Sequence, residues 1–239
     1  MPFQRPIWIV AGSPRVRVDA VRHITVPATG ATAVALAEQL RGLGATDMRC
    51  LHSLDAVACL PEQLRTLKSG SPFRAVAPYT TYDDLTKAVE QAARAGPAAP
   101  APVIVMTAAV NDYEVAAITD DNRHLAFDPH AMDQQGTKLP GGLREVRLHL
   151  RPTAKIIERI RREWNPGVYL VGFKNEAEAT VVASAQKLQK RAQCQLVVAN
   201  SIGLAFNAIV GAKGGVDSYS SRAAMLEALA KRIVAQEGA

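Results

Sequence analysis

Apolar and polar positions along this chain alternate between two periods. Short apolar runs, "IWIVAG" at 7–12, "DMRCLHS" at 47–53 and "FRAVAPY" at 73–79, are each followed by a stretch of helical periodicity, at 30–43, 61–69 and 81–95. That rhythm predicts strand–helix–strand units of a parallel sheet. "PVIVMTAAV" at 102–110 is almost continuously apolar, as a strand covered on both faces is. The pattern then fails between 111 and 142, a polar stretch punctuated by Gly and Pro. Loops of this length inside a compact domain are usually functional or mobile, so the segment reads as an active-site loop or dimerisation arm.

Periodicity returns with "EVRLHLR" at 145–151, which alternates like a half-exposed strand, and with a helix in "TAKIIERIRREW" that stops at "NPG". "VYLVGF", a helix from about Glu176 to Gln193, "CQLVVAN", "NAIVGAK" and a helix from Ser220 complete the chain. The "GPAAPAP" run at 96–102 is too short for a linker and reads as a surface loop. The expected architecture is one α/β unit over 1–239: a Rossmann-like, mostly parallel sheet with helices on both faces and a long mobile loop.

Composition narrows the chemistry. The net charge of +6 points to anionic ligands, but the basic residues are scattered and aromatic residues make up only 5% of the chain, so stacking on nucleic acid is not expected. Cys50, Cys59 and Cys194 lack the paired spacing of a zinc site or disulfide framework, which fits a reducing cytoplasm. The apolar run after the first methionine is too short for a signal peptide, and none approaches the roughly eighteen residues of a membrane span.

Ligands of a doubly wound sheet sit beyond the carboxyl ends of its strands. The strand exits are "AGS" at 11–13, "TAAVND" at 107–112, "GFKNE" at 172–176 and "ANS" at 199–201. Gly12 alone is ordinary turn chemistry, whereas Asp112, after a buried strand and two alanines, is a carboxylate placed beside a ligand or a loop cap. Lys174 is either a phosphate contact or a solvated strand end. His23 reads as a packed histidine, and His124 and His130, near Asp121 and Asp128, lack a scaffold that would fix a metal spacing. No G-x-G-x-x-G follows the first strand, which argues against a dinucleotide oxidoreductase.

In order and spacing these stretches resemble the phosphopantothenate–cysteine ligases, also called phosphopantothenoylcysteine synthetases. "GSPRVRVDAVRHI" at 12–24 is similar to that family's "GGTREPIDPVRFI", and "ATGATAVALAEQLRGLGA" to its small-residue turn and helix. "TAAVNDY" matches its "AAVADY" strand exit, "TKL" stands where its lysine-bearing loop is expected, and "GFKNE" and "QLVVAN" match two further segments. The resemblance implies a cytoplasmic, homodimeric amide ligase of coenzyme A biosynthesis that uses CTP or ATP with Mg²⁺ to join 4′-phosphopantothenate and cysteine through an acyl-nucleotidylate. By position it implies that Gly12, Gly30, Phe173 and Asn200 line the nucleotide; Lys174 stays a secondary candidate for the same ligand, from its place at the strand end. It places Ala108, Ala109 and Asp112 on the pantothenate arm, Arg22 on the phosphate of substrate in a dimer partner, and Lys138 over the phosphates.

The turn at 25–33 departs from the family's "S/D-N-x-S-S/T-G-x-x-G" pattern, because Val26, Ala28 and Ala33 stand where asparagine, serine and glycine are expected. Val26 has no side-chain donor or acceptor. Thr25, Thr29 or Asn111 is then expected to supply the missing contact if ligation survives. The other expectation is a paralogue that binds a nucleotide or pantothenate-like ligand without ligation, or activates another acid.

Overall fold

A computed structural model describes residue 3 and residues 5–53, 70–94, 100–120, 123–124, 138–203 and 205–236. Its centre is an eight-stranded sheet. The strands, numbered along the chain, are β1 (Ile7–Ala11), β4 (Met48–Ser53), β5 (Ala75–Tyr79), β6 (Val103–Met106), β10 (Tyr169–Glu176), β11 (Leu196–Ser201), β12 (Asn207–Gly211) and β13 (Val216–Tyr219). Their spatial order is β13-β12-β11-β10-β6-β1-β4-β5. The six strands from β11 to β5 are parallel, and β12 and β13 return antiparallel at one edge. Because β1 pairs with both β4 and β6, the chain order reverses there, which opens a crevice at the carboxyl ends of the strands.

Alternation along the strands explains the near-continuous apolar runs. Ile7, Ile9 and Ala11 face one core with α1 (Ala31–Gly42) and α5 (Arg222–Ala235), whereas Val10 faces a second core with α2 (Tyr82–Arg94) and α4 (Glu178–Ala192). Val103 and Val105 against Ile104 and Met106 repeat the division. Both sheet faces are therefore dry, as predicted. The helix expected in "TAKIIERIRREW" runs as α3 from Ile156 to Arg159 and ends in a π-helical turn, Ile160–Trp164, closed by the Asn165 amide on the Ile160 carbonyl at 2.9 Å. The helix expected at 61–69, most of the loop expected at 96–102, and the side chains of His124, His130, Asp121 and Asp128 lie outside the described residues.

One expectation needs correction. The stretch from 111 onward is not irregular throughout: Tyr113–Asp120 forms β7, which pairs with β8 (Arg123–His124) and with β9 (Arg147–Pro152) in a separate three-stranded sheet. A register shift between Val115 and Ala117 breaks the period-two pattern that would have revealed the strand. This arm packs on a small hairpin, β2 (Val16–Arg17) and β3 (His23–Ile24), through Val16, Val18, Val115, Ile118 and Leu139.

At the opposite end of the sheet a single guanidinium gathers four segments. Arg5 donates to the Ala101 carbonyl at 2.6 Å, the Gly167 carbonyl at 3.0 Å and Gln236 Oε1 at 3.1 Å. It thereby ties the approach to β1 to the approaches to β6 and β10 and to the end of α5.

Candidate functional site

The crevice at the strand ends opens into a cleft of about 680 Å³. Its floor is the segment Met106–Asp112 after β6. Phe173–Glu176 and Asn200, from the ends of β10 and β11, form one wall, and Val26–Ala28 form another. Ala108, Ala109, Asp112, Phe173, Lys174 and Asn200 are thus brought together from three chain segments distant in sequence. Asn200 is buried and its amide nitrogen donates to Asn207 Oδ1 at 2.7 Å, which fixes its orientation.

The other four residues singled out from the sequence do not line the cleft. Gly12 lies behind it, where its carbonyl accepts the Ala109 amide at 2.9 Å. Its φ of +88° is left-handed, and a Cβ there would lie 2.2 Å from Ser53 Oγ. Gly30 caps α1 with φ of +73°, a conformation that lets the turn enter the helix directly. Arg22 and Lys138 sit outside, near one another in connectivity: buried Asp19 accepts the amides of Val21, Arg22 and Leu139 at 2.8, 2.7 and 3.1 Å, and also pairs with the Arg22 guanidinium. Burial pushes the Asp19 carboxyl up, and these hydrogen bonds outweigh it, so the group lies below the usual carboxylate range. Asp19 was not singled out from the sequence; its signal is a lone carboxylate between apolar positions in "VRVDAV".

The divergent turn is held from behind. The Val26 amide donates to Ser13 Oγ at 3.2 Å, and the Ala28 amide to the Val26 carbonyl at 2.8 Å. The Val26 side chain is 40% exposed, on the cleft wall. Ala33 is fully buried in the core under α1. The three departures from the family pattern therefore divide: Val26 and Ala28 face ligand space, and Ala33 faces packing. Of the three neighbours expected to help, Thr25 and Asn111 direct their side-chain donors to the Pro14 carbonyl, at 3.4 and 2.7 Å. Thr29 Oγ1 accepts the Ala31 amide at 3.3 Å.

The cleft carries five cations, Lys155, Lys174, Lys187, Arg191 and Arg222, and three carboxylates, Asp112, Glu158 and Glu176. Lys155 pairs with Asp112, Lys174 with Glu176 at 3.1 Å, and Arg191 with Glu158 at 4.0 Å. The Ser184 hydroxyl, and against the opposing pull of burial the Lys174 ammonium, hold the Glu176 carboxyl below its ordinary range. Lys187 and Arg222 have no carboxylate partner among the described residues. The surplus is positive, so the cleft favours an anion.

His23 sits in the hairpin, its imidazole held below its ordinary range by burial and by the charge of Arg15. Cys50 and Cys194 are buried free thiols; burial pushes Cys194 up to about 12, which leaves it unreactive. Among the described residues no group of three or more His, Cys, Asp or Glu could hold a metal, and no helix is long and apolar enough to cross a membrane.

A doubly covered, mostly parallel sheet with a cleft of positive surplus at its topological switch point defines an α/β protein of the doubly wound class. More specifically, residues 3–237 match the DNA/pantothenate metabolism flavoprotein C-terminal domain, and the chain belongs to that family. It is 29% identical over 199 residues to the coenzyme A biosynthesis bifunctional protein CoaBC of Thermococcus kodakarensis, covering 82% of this chain and 41% of that relative. The chain thus spans less than half the length of this curated relative. The fold is that of the DNA/pantothenate metabolism flavoprotein from Streptococcus pneumoniae, with a TM-score of 0.76, 21% identity, and 98% and 100% of the two chains covered. A Cab2 variant in complex with phosphopantothenate-cysteine superposes with a TM-score of 0.67 at 18% identity, covering 97% of this chain and 86% of that one.

Proposed function

We propose that this chain is a phosphopantothenate–cysteine ligase, joining 4′-phosphopantothenate to cysteine at the expense of CTP or ATP. The observation that carries the reading is the cleft, in which Ala108, Ala109, Asp112, Phe173 and Asn200 meet at one switch point in a member of this family. In the proposed reaction the pantothenate carboxylate attacks the α-phosphorus and pyrophosphate leaves. The cysteine amine then attacks the acyl carbon, and the nucleoside monophosphate departs with the bond electrons. Phe173 and Asn200 hold the nucleotide, and Ala108 and Ala109 border the pantothenate arm closely because they have almost no side chain. The surplus cations oppose the charge of the phosphates. Asp112, an exposed carboxylate whose side chain is 63% accessible, stands with Ala108 and Ala109 on the pantothenate arm. Lys138 is assigned to close over the phosphates.

The test is an assay of pyrophosphate release and of amide product, with each nucleotide, with and without cysteine. Amide formed with either nucleotide supports the reading. Pyrophosphate without amide places the defect after activation. Neither product from a protein that binds nucleotide supports the second reading, a binding paralogue, which Val26 and Ala28 on the cleft wall favour. The double variant Val26→Asn with Pro27→Ser is expected to raise kcat and kcat/KM for amide formation about tenfold, since it restores a polar group where the intermediate forms. Pro27 is included because it restricts the backbone of residue 26.

The proposal also makes the protein a homodimer in which Arg22 reaches substrate bound to the partner. It is supported by exposed Tyr113 and Leu150 on the arm. Light scattering at micromolar concentration is expected to give twice the chain mass of 25.6 kDa. A single species at the chain mass would remove the role of Arg22.

A further inference from the structure

We infer that Arg222 binds a phosphoryl oxygen at the divergent turn, taking over part of the anion contact that Ala28 cannot make. The inference deepens the proposed ligase function and rests on it for the identity of the ligand. Arg222 is the first residue of α5, and its guanidinium donates to the Thr32 hydroxyl in the first turn of α1, across 190 residues of sequence. Both residues line the cleft, beside Pro27 and Ala28.

The charge at this place is uncompensated. Burial holds the Arg222 guanidinium below its ordinary range, and no carboxylate faces it among the described residues. Lys155 and Lys174 differ, for each is matched by a carboxylate. Arg222 is partly withdrawn from water without a counterion, and the Thr32 hydroxyl occupies only one of the five guanidinium donors. A ligand anion in the cleft supplies both the charge and the acceptors. The planar fork suits phosphoryl oxygens, and charge-assisted bonds of this kind are stronger than those of the serine hydroxyl expected at position 28. The α1 terminus beneath it has no side-chain cap, so its partial positive charge adds in the same direction.

Two phosphates could occupy the place, one on the nucleotide and one on the pantothenate-type acid. Titration calorimetry of the whole chain with CTP and cytidine, 4′-phosphopantothenate and pantothenate, and inorganic tripolyphosphate separates them. Arg222→Met is expected to weaken one phosphorylated ligand about tenfold while its unphosphorylated counterpart is unaffected, with Arg222→Lys intermediate because it keeps the charge but loses the fork. The ligand that responds identifies the phosphate. A tripolyphosphate affinity lost in Arg222→Met supports the inference even if no amide forms, so the two readings fail separately. Binding of every phosphorylated probe within twofold of the parent, by folded Arg222→Met and Arg222→Lys, would overturn it. So would a parent protein that binds none of them.

Discussion

Replacing Asp19 by alanine is expected to lower the free energy of unfolding by about 2–4 kcal/mol at pH 7, the range for stranding buried donors of a charged acceptor. Three backbone amides and one guanidinium converge on this carboxylate, and one amide, that of Leu139, arrives from 120 residues away. Its loss would release the segment that follows Lys138 from the hairpin that carries Arg22. Asp19→Asn keeps the shape but loses the charge. Because the folded carboxyl lies below its unfolded value, the stabilisation is fully present above the unfolded pKa of about 3.9 and disappears as pH falls through the folded value. The gap between the parent and Asp19→Asn in urea unfolding should therefore be constant near neutrality and shrink below about pH 4. A gap that stays constant down to pH 3 would show that the charge of Asp19 contributes nothing.

Gly12→Ala is expected to destabilise by about 3 kcal/mol, for two separable reasons. The left-handed φ of +88° disfavours any side chain, and the new methyl would lie 2.2 Å from Ser53 Oγ. Ser53→Gly in the same chain removes the Oγ and Cβ contacts but keeps the backbone cost and the 3.0 Å approach to the residue 53 nitrogen, and it frees the Ser13 amide from Ser53 Oγ, so the double variant should recover only part of the loss. Unfolding midpoints of the four proteins close the cycle. An additive cycle would mean that Ser53 moves aside freely. Because the Gly12 carbonyl holds the Ala109 amide, the single variant also tilts the floor of the cleft, and KM should rise in the ligation assay.

Much of this was legible beforehand, for physical reasons that vary from one residue to another. The parallel core was readable because strands covered on both faces must be apolar on both, as "IWIVA" and "LVVAN" are. The cleft floor at "TAAVND" followed from the rule that ligands meet strand exits. β7 was legible only as part of an arm and not in its full length, since its register shift exchanges the inward and outward positions. Two-residue strands such as β2 and β3 carry no period at all. Asp19, Lys155 and Arg222 could not be located from their own neighbourhoods. What they do depends on partners far along the chain, at Leu139, Asp112 and Thr32, and only the tertiary fold brings those partners near.

The guanidinium of Arg5 has a consequence for how this unit can be connected to other polypeptide. By bonding Gln236 it sets residues 5 and 236 side by side, at the strand ends remote from the cleft. Both residues therefore lie together on the side away from the cleft mouth. A short tether joining those two points would close the chain into a loop without passing over that mouth, and new ends could then be opened at the turn between β12 and β13, where Lys213 and Gly215 are exposed.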